Sequence, residues 1–143
     1  MKIDWLVVGL GNPGNKYSKN RHNIGWMVAN ALCEKYNRPI MTFSKLYHQS
    51  SIRIVKDLVF VCLPTTYMNK SGEAVNSIIN EYHIETRNII VISDEYNFPV
   101  GKVHLRFNGG DGGHNGLISI IEELDSADFF RLRCGIGKNF SER

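Results

Sequence analysis

His22 and Asp94 are the two side chains whose types and settings best suit proton chemistry. His22 stands in Asn20-Arg21-His22-Asn23, where the polar stretch 11–21 meets an apolar-striped segment beginning at Ile24. Asp94 follows the apolar run Ile89–Ile92. Catalytic groups of α/β proteins collect at the carboxyl ends of strands. A carboxylate there can hold one nitrogen of an imidazole while the other accepts a proton. Read singly, His22 is a cap or surface residue, and Asp94 caps the turn before Pro99-Val100-Gly101. The chain has no G-x-S-x-G elbow, no H-E-x-x-H and no paired Cys/His ligands. Ser71 and Ser93 lack the signature of an activated nucleophile, and His48, His83 and His104 read as surface or strand residues. A His–Asp pair without a nucleophile points to general-base activation of water, with no metal and no cofactor.

Three asparagines come next. Asn12 lies in Gly9-Leu10-Gly11-Asn12-Pro13-Gly14, Asn69 in Thr65-Thr66-Tyr67-Met68-Asn69-Lys70-Ser71-Gly72, and Asn115 in the stretch 108–116, which holds five glycines. Each opens or precedes an expected element, where asparagine ordinarily caps a helix or shapes a turn. Together they could line one mouth, and neutral amides suit ester and peptide carbonyls better than phosphate. The glycine run suggests a close approach of backbone to something. Residues 9–14 spell G-x-G-x-x-G, the dinucleotide fingerprint. That motif needs a helix directly after the glycines and an acid about 20 residues on. Here the helical pattern starts only near Asn23, so the stretch reads as a tight turn.

Alternation supplies the charged partner. In the run 102–107, Val103, Leu105 and Phe107 share one face while Lys102, His104 and Arg106 share the other. In 131–136, Leu132, Cys134 and Ile136 oppose Arg131 and Arg133. If these strands are neighbours, Arg106 and Arg133 can converge on a phosphate as bidentate donors do; otherwise they decorate a solvated face.

The elements that must position these groups follow from periodicity. Ile3–Leu10 reads as a buried strand. Ile24, Met27, Val28, Ala31 and Leu32 form a helical stripe. Ser51–Val55 and Leu58–Leu63 read as strands joined at Lys56-Asp57. A helix carrying Val75, Ile78, Ile79 and Tyr82 follows, then strands at 88–92 and 102–107, a helix with Leu117, Ile120, Ile121 and Leu124, and a last strand at 131–136. Strands alternating with helices, plus a hairpin, predict a single-domain α/β sandwich with a mixed central β-sheet flanked by helices.

Composition agrees. The 143 residues are 43% hydrophobic and 22% charged, a globular balance long enough for one core. No run approaches the ~18 apolar residues of a membrane span. Asp4 within the first apolar run is unlike a secretory leader, so the expected location is cytoplasmic. Seventeen bases against fourteen acids give +3, a tilt toward a polyanionic partner that the acidic stretch Glu122, Glu123, Asp125 and Asp128 partly conceals. Cys33, Cys62 and Cys134 are odd in number and scattered, as for packed, reduced thiols.

Six blocks together carry a resemblance. Val8-Gly9-Leu10-Gly11-Asn12-Pro13-Gly14 with Tyr17, Arg21-His22-Asn23-Ile24-Gly25, Thr66-Tyr67-Met68-Asn69-Lys70-Ser71-Gly72, Asp94, Gly112-Gly113-His114-Asn115-Gly116-Leu117 and Arg131-Leu132-Arg133-Cys134-Gly135-Ile136-Gly137 resemble the bacterial peptidyl-tRNA hydrolase family, in family order, over residues 8–137. The resemblance implies hydrolysis of the ester joining a peptide to the 3′ end of tRNA, recycling tRNA from stalled translation. His22 is then the general base, kept basic by Asp94. Asn69 and Asn115 position substrate and water or stabilise the oxyanion. Asn12 reads the first peptide amide, and Tyr17, Tyr67, Met68 and His114 belong to the substrate-binding set. Arg106 and Arg133 match the family's phosphate clamp.

The chain departs from the family pattern at Leu63, usually basic, and at Glu95-Tyr96-Asn97-Phe98, usually an acidic, leucine-rich turn. It also ends at Arg143, where relatives continue into helices that cover the cleft. The expectation is one domain over 1–143 without those helices, a monomer, with self-association through the uncovered face as the alternative state. A tRNA- or RNA-binding relative without turnover, and an esterase of small substrates, are the alternative functions.

Overall fold

The computed structural model describes residues 2–12, 23–42 and 44–138. Among these residues seven strands, β1 (Trp5–Gly9), β2 (Met41–Thr42), β3 (Tyr47–Ile54), β4 (Asp57–Pro64), β5 (Ile89–Glu95), β6 (Val103–Phe107) and β7 (Phe130–Gly135), form one sheet in the order β2-β3-β4-β1-β5-β7-β6. The centre β4-β1-β5-β7 is parallel, and β2, β3 and β6 run antiparallel to their neighbours. The helices α1 (Ile24–Lys35), α2 (Ser71–Tyr82) and α3 (Asn115–Leu124) lie in the connections β1–β2, β4–β5 and β6–β7. The result is the mixed α/β sandwich expected from the alternation of strands and helices.

Buried parallel strands must be apolar on both faces, and β1 meets that demand with Leu6 and Val8 facing one cluster and Val7 the other. The first cluster lies under α2 and α3, through Ala74, Val75, Ile78, Leu117 and Ile120. The second lies under α1 and includes Ala29, Cys33, Val61, Leu63 and Ile92. Cys33, Cys62 and Cys134 are free and buried, and burial raises the pKa of each.

Ile24, Val28 and Leu32 of the apolar stripe of α1 pack, partly buried, against the second cluster, but the centre of the packed face lies one residue further on. Gly25, Ala29 and Cys33 are the buried positions, while Met27 is 44% exposed. Small residues let the helix backbone approach the strand: a Cβ on Gly25 would lie 2.5 Å from both Leu10 N and Leu10 O. That close fit, and not a phosphate, accounts for glycine at positions 9 and 25. Other differences are of register. β3 begins at Tyr47, four residues before the expected start, and its turn is Val55-Lys56 because Asp57 already pairs with Ile54. β2 is too short to carry a signal in sequence.

Candidate active site

Asp94 sits near the carboxyl end of β5, at the edge of a cavity of about 290 Å³ lined by residues from β5, β6, β7, the glycine-rich loop and the start of α3. Its Oδ1 lies 2.6 Å from His114 Nε2, with side-chain exposures of 9% and 15%. The other nitrogen, His114 Nδ1, accepts from Gly116 N at 3.0 Å and Leu117 N at 3.4 Å, capping α3. A nitrogen that accepts two N–H groups carries no proton, so the bonding network assigns the proton to Nε2, which donates to Asp94. The α3 cap thereby sets both the tautomer and the aim of the ring.

Asn12 is fixed from two sides. Its backbone N donates to Asn23 Oδ1 and its backbone O accepts from Asn23 Nδ2, both at 3.0 Å. Its side-chain Oδ1 accepts from Met68 N at 2.9 Å. With the oxygen so engaged, Nδ2 is left as the donor of this amide, and Asn12 is one of the residues lining the cavity. Asn23, at the N-cap of α1, makes no side-chain cap bond and serves this bracing instead. Met68 packs on the start of α3, since a Cβ on Gly116 would stand 2.8 Å from its Sδ.

A second part of the lining, on β6 and β7, is cationic. β6 and β7 are antiparallel neighbours, with Arg106 directly across from Arg131 and His104 across from Arg133. Arg106, Arg131 and Arg133 all line the cavity. Arg133 is held by Glu95 Oε1 at 3.5 Å, by His104 Nδ1 at 3.1 Å and over the Phe98 ring at 4.8 Å. Its Nε, the Nε of Arg131 and the hydroxyl of Ser93 are buried without a hydrogen-bond partner among the described residues. Burial depresses the pKa of the Arg131 guanidinium, and Arg106 and Arg133 depress it further, against a smaller opposing pull from Asp111.

Of the residues expected from sequence, Asn12, Met68, Asp94, Arg106, His114, Asn115 and Arg133 meet around this one cavity. Asn69 and Tyr67 lie on the neighbouring turn, exposed and outside the wall. His22 and Tyr17 lie outside the described residues. The contact of Asp94 with His114 adds a partner that the sequence does not suggest beside the expected His22. His104 is a strand residue, as expected, but one that touches Arg133; its place on the Arg106 face of β6 is the signal that could have found it. The glycines of the loop answer to conformation more than to close packing. Gly112 and Gly113 have φ of 61° and 80°, with open space among the described residues where a Cβ would stand. Among the described residues no cluster of His, Cys, Asp and Glu could hold a metal ion, and no helix is long and apolar enough to cross a membrane.

Fold and site together define an α/β protein with a hydrogen-bonded Asp94–His114 pair and a cluster of arginines around one cavity. The profile of the family described as peptidyl-tRNA hydrolase matches residues 6–143. The peptidyl-tRNA hydrolase of Clostridium tetani is 46% identical over 136 residues, covering 94% of this chain and 71% of that protein. That of Lawsonia intracellularis is 44% identical over 140 residues, covering 97% and 70%. The crystal structure of peptidyl-tRNA hydrolase from Acinetobacter baumannii superposes with a TM-score of 0.90 at 36% identity, covering 99% of this chain and 74% of that one. The chain belongs to the peptidyl-tRNA hydrolase family, and it is an enzyme of the hydrolase class.

Proposed function

We propose that the chain hydrolyses the ester between peptide and tRNA in peptidyl-tRNA, with water activated by a His22–Asp94 pair, and so returns tRNA from stalled translation. The observation that supports this reading is a single cavity lined both by the Asp94–His114 pair and by Arg106, Arg131 and Arg133. An ester whose one half is a polyanion needs both walls at once.

The bonding of His114 favours His22 as the histidine that takes the proton. Both of its nitrogens are committed, Nδ1 to the α3 cap and Nε2–H to Asp94. Protonating Nδ1 would break the cap. His114 is therefore a positioning residue that holds the carboxylate, and the general base is His22, placed by this reading against the same carboxylate. Water attacks the ester carbonyl as His22 takes its proton; the proton then passes to the departing ribose oxygen. Asn115, exposed on the first turn of α3 and on the cavity wall, and Asn69 beside it orient water or donate to the oxyanion. Asn12 Nδ2 donates to the first peptide carbonyl, while Tyr17 and Tyr67 contact substrate near the terminal adenosine. The enzyme acts in the cytoplasm as one domain over 1–143.

The test is incubation of the purified chain with N-blocked aminoacyl-tRNA, counting tRNA released. Release that follows single-turnover kinetics supports the reading. A folded chain that binds the tRNA ester and releases none is an RNA-binding relative.

A further inference from the structure

We propose that Arg131 is a positioning residue: it staples the loops on both sides of α3 to the sheet and so holds the His114–Asp94 pair in register with the arginine wall. The proposal rests on the active-site reading above and adds to it a residue that touches no substrate.

Arg131 is 1% exposed, the largest side chain among the fully buried ones. Its Nη1 donates to Gly110 O at 2.7 Å and its Nη2 to Ala127 O at 2.9 Å. Gly110 belongs to the loop that enters α3, and Ala127 to the connection that leaves it for β7. One planar guanidinium thus spans the two ends of the helix, a reach that the single point of a lysine ammonium lacks. The cation also sits 4.4 Å over the ring of Phe129.

The loop needs such a tie. Asn108, Gly109, Gly112 and Gly113 all have positive φ, and glycine has the most backbone freedom to lose. At its start the loop is held by Asn108 N on Phe129 O at 3.0 Å and Asn108 Nδ2 on Asp128 at 2.7 Å. At its end Asp111 accepts from Gly113 N and, through its carbonyl, from His114 N, bonds internal to the loop. The bond from Arg131 to Gly110 O ties the middle of the loop to β7. His114 follows four residues later. Stability alone is a poor account of a guanidinium here. It is buried, it donates to carbonyls, and it stands directly across the ladder from Arg106; like charges so placed are destabilising.

The experiment compares Arg131→Lys and Arg131→Met with Arg133→Ala, all verified as folded at the assay temperature by circular dichroism. The probe is N-blocked aminoacyl-tRNA at saturating enzyme. Arg131→Lys, which keeps the charge, is expected to lose tenfold or more in single-turnover rate while keeping the wild-type dependence of binding on salt. In ¹⁵N-histidine spectra of Arg131→Met, the resonances of the His114 ring should move from a fixed Nε2–H form toward an averaged tautomer. A rate within twofold of wild type in folded Arg131→Lys overturns the proposal. So does a salt dependence that flattens as in Arg133→Ala, since that would make Arg131 a phosphate ligand. If Arg131→Met does not fold, Arg131→Lys decides by rate and salt alone. A wild-type chain silent in the same assay overturns the functional reading, whereas an active wild type with unaltered variants overturns only this inference.

Discussion

The two walls of the cavity are built on opposite principles. At the Asp94 wall the hydrogen bonds close on one another: Asp94 accepts from His114, His114 caps α3, and Asn12 is braced by Asn23 and Met68. At the arginine wall three guanidiniums crowd together. Arg106 lies directly across one ladder from Arg131 and diagonally from Arg133, and two buried Nε atoms have no partner among the described residues. A satisfied wall is rigid before substrate arrives, as preorganised catalysis requires. A crowded cationic wall gains most from a ligand that offsets its charge, which under the proposed function is a phosphate of the tRNA. Under the proposed function the cleft separates chemistry from affinity, and mutations on the two walls should separate kcat from KM.

The sharpest way to break this contrast is at the base. His22→Ala is expected to lower turnover by roughly 10²–10⁴-fold, the usual contribution of a general base, with little change in tRNA binding. Asp94→Asn should lower turnover as well and shift the pH–rate profile, because the imidazole loses its anionic partner. Single-turnover rates and filter binding measure the two quantities separately. Full activity in His22→Ala, with loss in His114→Ala, would transfer the base to His114 and refute the argument from its committed nitrogens.

Substitutions on the other wall should do the converse. Arg106→Ala and Arg133→Ala are each expected to raise KM for tRNA esters with a smaller effect on the single-turnover rate. Each should also flatten the log–log salt dependence by about 0.7–0.9 for every phosphate no longer neutralised. An unchanged slope in either would leave that arginine on a solvated sheet face, without a phosphate.

Asn12 belongs to the satisfied wall but faces substrate, and its effect should be on selectivity. Asn12→Asp keeps an acceptor for Met68 N and loses the Nδ2 donor. The variant should favour blocked over free aminoacyl-tRNA less than the wild type does, since a carboxylate repels a carbonyl and attracts a free ammonium. Competition between the two substrates reads this directly, and unaltered selectivity would reduce Asn12 to a brace for the turn.

The satisfied and crowded walls are unequally legible in the sequence. Alternation in 102–107 and 131–136 places Arg106 and Arg133 each on the polar face of its own strand, because period two is a local property of a strand; their convergence depends on the pairing of the two strands. The strands, the helices and the mixed sheet are legible for the same reason. The bond between His114 and Asp94 is not, since it joins residues twenty apart through a glycine loop whose path depends on four positive-φ positions. Nor is the buried role of Arg131. Its alternation with Leu132 is the same as that of Arg133, and only the carbonyls of Gly110 and Ala127 distinguish it. The packing face of α1 keeps Ile24, Val28 and Leu32 of its apolar stripe but is centred on Gly25, Ala29 and Cys33, because hydrophobicity ranks Met27 above Gly25, whereas close approach to β1 selects by size.

The smallest expected effect needs no tRNA. The depressed pKa of Arg131 means that its charged form is penalised in the folded chain relative to the unfolded one. For a base with a lowered pKa that penalty is present at every pH below the folded value, neutral pH included, so whatever offsets the positive charge of this wall should stabilise the fold. Inorganic phosphate bound between Arg106 and Arg133 would do so, and at tenfold above its dissociation constant it would contribute about 1.4 kcal/mol. That corresponds to a rise in Tm of roughly a few degrees for a domain of this size. The measurement is a thermal melt in phosphate against chloride at matched ionic strength. The rise should be specific to phosphate and should shrink in Arg106→Ala and Arg133→Ala, while Asp94→Asn, on the other wall, keeps it. Equal shifts in the two salts, or a phosphate shift indifferent to both arginines, would mean that the crowded guanidiniums are already screened by solvent and that the two walls do not differ in the way their bonding implies.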